Sequence, residues 1–66
     1  MQALKDFRQE KGYSREQMAQ ALGISTSLYN LVEFDIRQPS KNFLDRFKRA
    51  FPSFDMNIFF DQKLYK

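Results

Sequence analysis

Between two amphipathic stretches this chain leaves only Gly23, Ile24 and Ser25. A connection that short forces two helices to cross steeply, because no slack remains for them to run side by side. The residues around it fit such a corner. Ala19 is small enough to let the second helix approach the first closely, Gly23 can take a positive φ, and Ile24 fills the space beneath. Ser14 reads as the N-cap of the first helix, with Gln17 completing a capping box and Tyr13 and Met18 placed as a hydrophobic staple. Ser25 caps the second, with Ile24 placed to staple Tyr29. The first helix is predicted over residues 15–22, burying Met18, Ala19 and Leu22, and the second over 26–34. On the second, Tyr29 and Val32 point one way, while Thr26, Ser27, Asn30 and Leu31 can point another.

Three more helices flank this pair. Residues 2–11 place Ala3, Leu4 and Phe7 on one face, and Gly12 stops the run. Residues 41–51 follow a loop, Asp35 to Pro39, and a Ser40 cap. There Phe43, Phe47 and Phe51 recur at i, i+4, i+8, a core stripe, leaving Lys41, Arg46, Lys48 and Arg49 largely on the remaining surface. Pro52 ends that helix. Residues 56–60, capped by Asp55, form the last, which frays through 61–66. No segment alternates as a strand does. The expectation is one all-α domain of five short helices over residues 1–66.

The 66 residues include no cysteine and no histidine. That removes a disulfide framework, cysteine-ligated metal, and the commonest metal ligand and general base. No metal or other cofactor is expected. The carboxylates are scattered over polar faces without a nucleophile–base pair or a glycine-rich phosphate loop, so no catalytic residues are assigned and an enzyme is not expected. Net charge is +3, and all of the excess lies after Glu33, a balance that favours an anionic partner. Neither a signal peptide nor an apolar run of membrane-spanning length is seen, so a soluble, cytoplasmic protein without membrane contact is expected.

The run from Ser14 to Glu33, SREQMAQALGISTSLYNLVE, resembles the helix-turn-helix of the phage repressor and Cro group of bacterial regulators. The resemblance rests on Ala19, Gly23 four residues on, Ile24-Ser25, Tyr29 and Val32-Glu33. Arg37, Pro39 and Ser40 resemble the Arg-x-Pro-Ser segment that leads into helix four of that family. It extends over about residues 2–60. It implies a sequence-specific, double-stranded DNA-binding regulator whose third helix enters the major groove. The base-reading positions are then Thr26, Ser27, Asn30 and Leu31. Asn30 can pair bidentately with adenine, and the Thr26 methyl or Leu31 can touch a thymine methyl. Arg15, Ser14, Ser25 and Arg37 fall where the backbone phosphates lie. A phosphate beside Arg15 also relieves a cation's conflict with the helix N-terminus. Glu33 is expected to be structural, paired with Arg8 or Arg37.

The chain departs from the family pattern in places. Its reading helix has no Lys or Arg, Phe34 stands where a small polar residue is usual, and Asp35 stands where glycine is usual. Leu28 and Leu31 add apolar bulk. The C-terminal stretch Phe54 to Phe60 is more apolar than one short helix can bury, so Met56, Ile58 and Phe60 are assigned to a homodimer interface. The leading function is a dimeric phage-type or mobile-element-type repressor on a near-palindromic operator. Two others stand beside it: a DNA-binding antitoxin whose apolar tail holds a toxin, and a protein-interaction module on the same fold.

Overall fold

The computed structural model describes the backbone of residues 1–61 and side chains through residue 60. Among the described residues there are five helices and no strand: α1 (Gln2–Glu10), α2 (Arg15–Leu22), α3 (Thr26–Glu33), α4 (Lys41–Ala50) and α5 (Ile58–Asp61). The fraying expected over 61–66 falls, from residue 62 on, outside them.

The caps form as the sequence predicts. Ser14 Oγ accepts from Gln17 N while Gln17 Oε1 accepts from Ser14 N, a complete capping box. Ser25 Oγ accepts from Leu28 N, and Ser40 Oγ from Phe43 N. Gly23 closes α2 at φ 71°, with Ile24 N bonded to Ala19 O, a Schellman-type ending. That glycine carries the corner between α2 and α3, because a side chain there would be strained by the backbone and would meet Arg46 Nη1 at 2.7 Å.

Four helix ends differ from expectation. Lys11, Phe34 and Phe51 are C-caps rather than last helical residues. The final helix begins at Ile58, not residue 56, because the Asp55 carboxylate bonds Asn57 N and closes a local turn first.

Leu4, Met18, Ala19, Leu22, Tyr29, Val32, Phe43, Phe47 and Phe59 form a single buried cluster together with Met1. Phe47 sits at its centre. Its ring lies 4.8–5.7 Å from those of Phe7, Phe51, Phe54 and Phe59, edge-on or tilted to each. These are the geometries that ring quadrupoles favour. Phe54 and Phe59 thus draw the C-terminal segment onto α1 and α4. Met56 and Ile58 also pack, partly buried, against this core, so only Phe60 of the three residues assigned to a dimer surface is largely exposed, at 45%.

Candidate nucleic-acid interface

The core decides which side of α3 is available. Tyr29, Val32 and Glu33 are buried. Ser27 is exposed, and Thr26, Asn30 and Leu31 are half-buried. Below α3, a shallow open groove of about 620 Å³ is lined by Ser14, Glu16, Gln17, Gln20 and Thr26, bringing the start of α2 next to the start of α3.

Ser14 and Ser25 are exposed caps. Each hydroxyl oxygen accepts from its helix and keeps an O–H to donate outward. Asn30 is placed differently from the simplest expectation. Its Oδ1 is buried and has no hydrogen-bond partner among the described residues. Bidentate pairing with adenine needs both Oδ1 and Nδ2 presented together. Such pairing would require Asn30 to rotate its amide outward, from a position where Oδ1 has no donor to lose.

The loop after α3 folds back on its own helix. Leu31 O accepts from both Ile36 N and Arg37 N, at 3.0 and 3.1 Å. This keeps the exposed Arg37 beside α3. Asp35, in the glycine-like position, holds φ 62°, the left-handed conformation that makes the fold-back possible. Phe34 and Ile36 stand out from the loop at 51% and 70% exposure.

Behind the reading helix lies a polar cluster around the Glu33 carboxylate. Arg8 Nε donates to Oε1 at 2.8 Å, the Tyr29 hydroxyl donates to Oε1 at 2.6 Å, and Arg15 Nε donates to Oε2 at 2.8 Å. Arg8 Nη1 also donates to Tyr13 O, tying the approach to α2 into the same cluster. The Met1 amino group donates to Glu33 O and pairs with Asp35 Oδ2 at 2.7 Å. Burial by itself would push the Glu33 carboxyl up, but the hydrogen bonds from Arg8, Tyr29 and Arg15 and the Arg8 charge outweigh it, and the carboxyl lies below its ordinary value. The Glu33 hydrogen bond raises the Arg8 guanidinium further, against its own desolvation. Burial first, then the bond to Glu33, raises the Tyr29 phenol well above its ordinary range.

Glu33 is therefore structural and paired with Arg8, one of the two partners expected. Among the described residues Arg37 makes no ion pair with it. Arg15 joins it, and its guanidinium lies 4.8 Å over the Phe34 ring. Sequence reasoning missed the Tyr29 hydroxyl, although Tyr29 and Glu33 stand at i, i+4 on one helix. It also placed Arg46 on the solvated face of α4. Instead, Arg46 is half-buried and its Nη1 donates to Leu22 O and Gly23 O at 3.4 and 3.3 Å, where α2's unpaired carbonyls attract a cation. Lys41, Lys48 and Arg49 are exposed.

Among the described residues no group of acidic side chains is placed to hold a metal, and no helix is long and apolar enough to cross a membrane. No curated protein and no solved structure matches the chain. A family model described as helix-turn-helix matches residues 4–53, from the middle of α1 to just beyond α4. With that match laid over the α2–α3 corner, the chain belongs to the helix-turn-helix family of the phage repressor and Cro type, whose fold is a DNA-binding rather than an enzymatic one.

Proposed function

We propose that this DNA-binding regulator is a sequence-specific repressor, of the kind carried by phages and mobile elements, that reads the major groove with α3. The observation that carries the reading is the division of α3. Tyr29, Val32 and Glu33 anchor it, while Thr26, Ser27, Asn30 and Leu31 remain outside the core. Asn30 and the Thr26 and Leu31 methyl groups supply the base contacts. Arg15, Ser14, Ser25 and Arg37 hold phosphates on either side, fixing register without reading sequence.

Two copies on a near-palindromic site would place their reading helices about 34 Å apart, one turn of DNA. Phe60, with the exposed edges of Met56 and Ile58, is the surface we assign to that pairing. Because Met56 and Ile58 are partly used by the core, the homodimer should be weak. Sedimentation of wild type and Phe60→Ser at high concentration, with and without DNA, tests it. A wild type that stays monomeric in both conditions rejects the assignment.

Selection of bound duplexes from a random pool, followed by Asn30→Ala and Arg37→Ala, tests the reading. Asn30→Ala should cost about 1–3 kcal/mol on the selected site and relax preference at one base pair. Arg37→Ala should weaken selected and random duplexes alike and flatten the log–log salt slope by about 0.9. Equal losses on both duplexes for Asn30→Ala would favour the second reading, a protein-interaction module. That reading draws on the absence of Lys and Arg from α3 and on the exposed Phe34 and Ile36 beside it.

A further inference from the structure

We propose that Phe34 is a positioning residue that holds the Arg15 guanidinium ready for a DNA phosphate. The proposal rests on the phosphate role assigned to Arg15 above.

A free arginine side chain samples many rotamers, and a phosphate contact must remove much of that freedom. Here two restraints act before any ligand arrives. Arg15 Nε is fixed to Glu33 Oε2, and its guanidinium carbon lies over the Phe34 ring, 4.8 Å from the centroid. Neither restraint can easily drift. Glu33 is itself gripped by Arg8 and Tyr29. Phe34 is the C-cap of α3, its N–H bonded to Asn30 O, and Asp35 turns the chain immediately after it.

The restraints leave the useful end of Arg15 open. Among the described residues neither Nη has a hydrogen-bond acceptor, and the side chain is 41% exposed. The electrostatics also favour an anion. One buried carboxylate is shared between two guanidiniums, Arg8 and Arg15, so the cluster keeps a surplus positive charge, and its exposed end is Arg15. Lys5 and Met1 line the same shallow pocket of about 230 Å³ with Gln2, Arg15, Phe34 and the acidic residues Glu33 and Asp35, the Asp35 carboxylate being paired with the Met1 amino group. Phe34 does not belong to the core cluster, so core packing does not account for a large aromatic at this exposed helix end. Stacking under a cation accounts for it.

The test uses Phe34→Leu, which keeps an apolar side chain and removes the ring, and Phe34→Tyr, which keeps the ring. In the free protein, ¹⁵N relaxation of Arg15 Nε should report an ordered side chain in wild type and Phe34→Tyr and a mobile one in Phe34→Leu. On a short random-sequence duplex, Phe34→Leu should bind about two- to fivefold more weakly with an unchanged salt slope, and Phe34→Tyr like wild type. Arg15→Ala should flatten the slope by about 0.9, and adding Phe34→Leu to it should change nothing further. A Phe34→Leu protein that binds like wild type, or whose loss persists in the Arg15→Ala background, overturns the positioning role and leaves the phosphate contact standing. An Arg15→Ala protein with unchanged affinity and slope overturns the phosphate contact itself, and the positioning role with it.

Discussion

The two halves of this small core are built from opposite materials. Around Phe47, four further aromatic rings from α1 and the segment after α4 pack edge-on or tilted, with no polar group at the centre. Around Glu33, a carboxylate, two guanidiniums, a phenol and an amino group are matched atom to atom. Ring packing is worth about 0.5–1.5 kcal/mol per pair beyond the area buried, and it tolerates small shifts. A buried ion cluster adds little net stability, since desolvation offsets the attraction, yet loss of one member is costly. The aromatic half therefore holds the domain together. The polar half fixes how α3 sits against α1 and α2, and under the proposed function that sets the angle at which α3 would meet DNA.

Breaking the aromatic half should have the largest effect. Phe47→Ala is expected to cost about 3–5 kcal/mol, which for a domain of this size threatens folding altogether. A urea midpoint close to wild type would mean that the ring cluster is not the source of stability. Glu33→Gln comes next, at about 2–3 kcal/mol, although it hardly changes volume, because it replaces charge-assisted hydrogen bonds with neutral ones and leaves Arg8 without a counter-charge. If the two halves differ as argued, Phe47→Leu, a far larger change in shape, should be tolerated better than Phe47→Ala, and Glu33→Gln should have no equally mild alternative.

Acid should separate the halves without mutation. The Glu33 carboxyl is lowered in the folded state from an ordinary value of 4.5. A depressed value stabilises the fold fully above about that pH, and the contribution is lost as pH falls through the folded-state value. Wild type should lose urea resistance over this acid range more steeply than Glu33→Gln, and the two curves should converge at the acid end. Parallel curves would remove Glu33 from the pH response. The smallest effect belongs to Asp35→Gly. Relief of the positive φ should raise stability by less than about 1 kcal/mol, opposed by loss of the pair between the exposed Asp35 carboxylate and the amino group of the buried Met1. The gain should be clearest at high salt, where that pair is already screened. A destabilised Asp35→Gly at high salt would show that Asp35 is not strained.

The helices were legible in the sequence wherever signals were local. Ser14 with Gln17, Ser25, Ser40 and Gly23 each act within one turn of the backbone, and each forms what its spacing implies. The aromatic stripe on α4 was legible for the same reason, as was the outward placement of Ser27. Besides the Tyr29 hydroxyl on Glu33, what escaped were mainly side chains whose partners lie far along the chain. Arg46 reaches Leu22 and Gly23, and Arg15 reaches Glu33, contacts that no periodicity encodes. The buried Met1 was missed because a terminal residue offers no pattern to read. Asp35 was recognised as standing where glycine is usual, but its backbone conformation is set by the tertiary fold-back of the loop onto Leu31.

The contact from Arg46 to the α2–α3 corner bears on how such a reading unit can be moved between proteins. Residues 14–34 look like a self-contained cassette: both caps, the corner glycine and the base-facing residues lie inside them. Its corner is nevertheless braced from α4, and the space beside Gly23 is occupied by that brace. A cassette grafted onto a foreign scaffold would bring the empty space without the arginine that fills it, and the exposed carbonyls of Leu22 and Gly23 would recruit whatever donor the new host offers. Swapping only the outward positions of α3 leaves the brace in place. The transferable unit in this architecture is thus a helix pair together with one arginine from a helix that lies well beyond the corner in sequence.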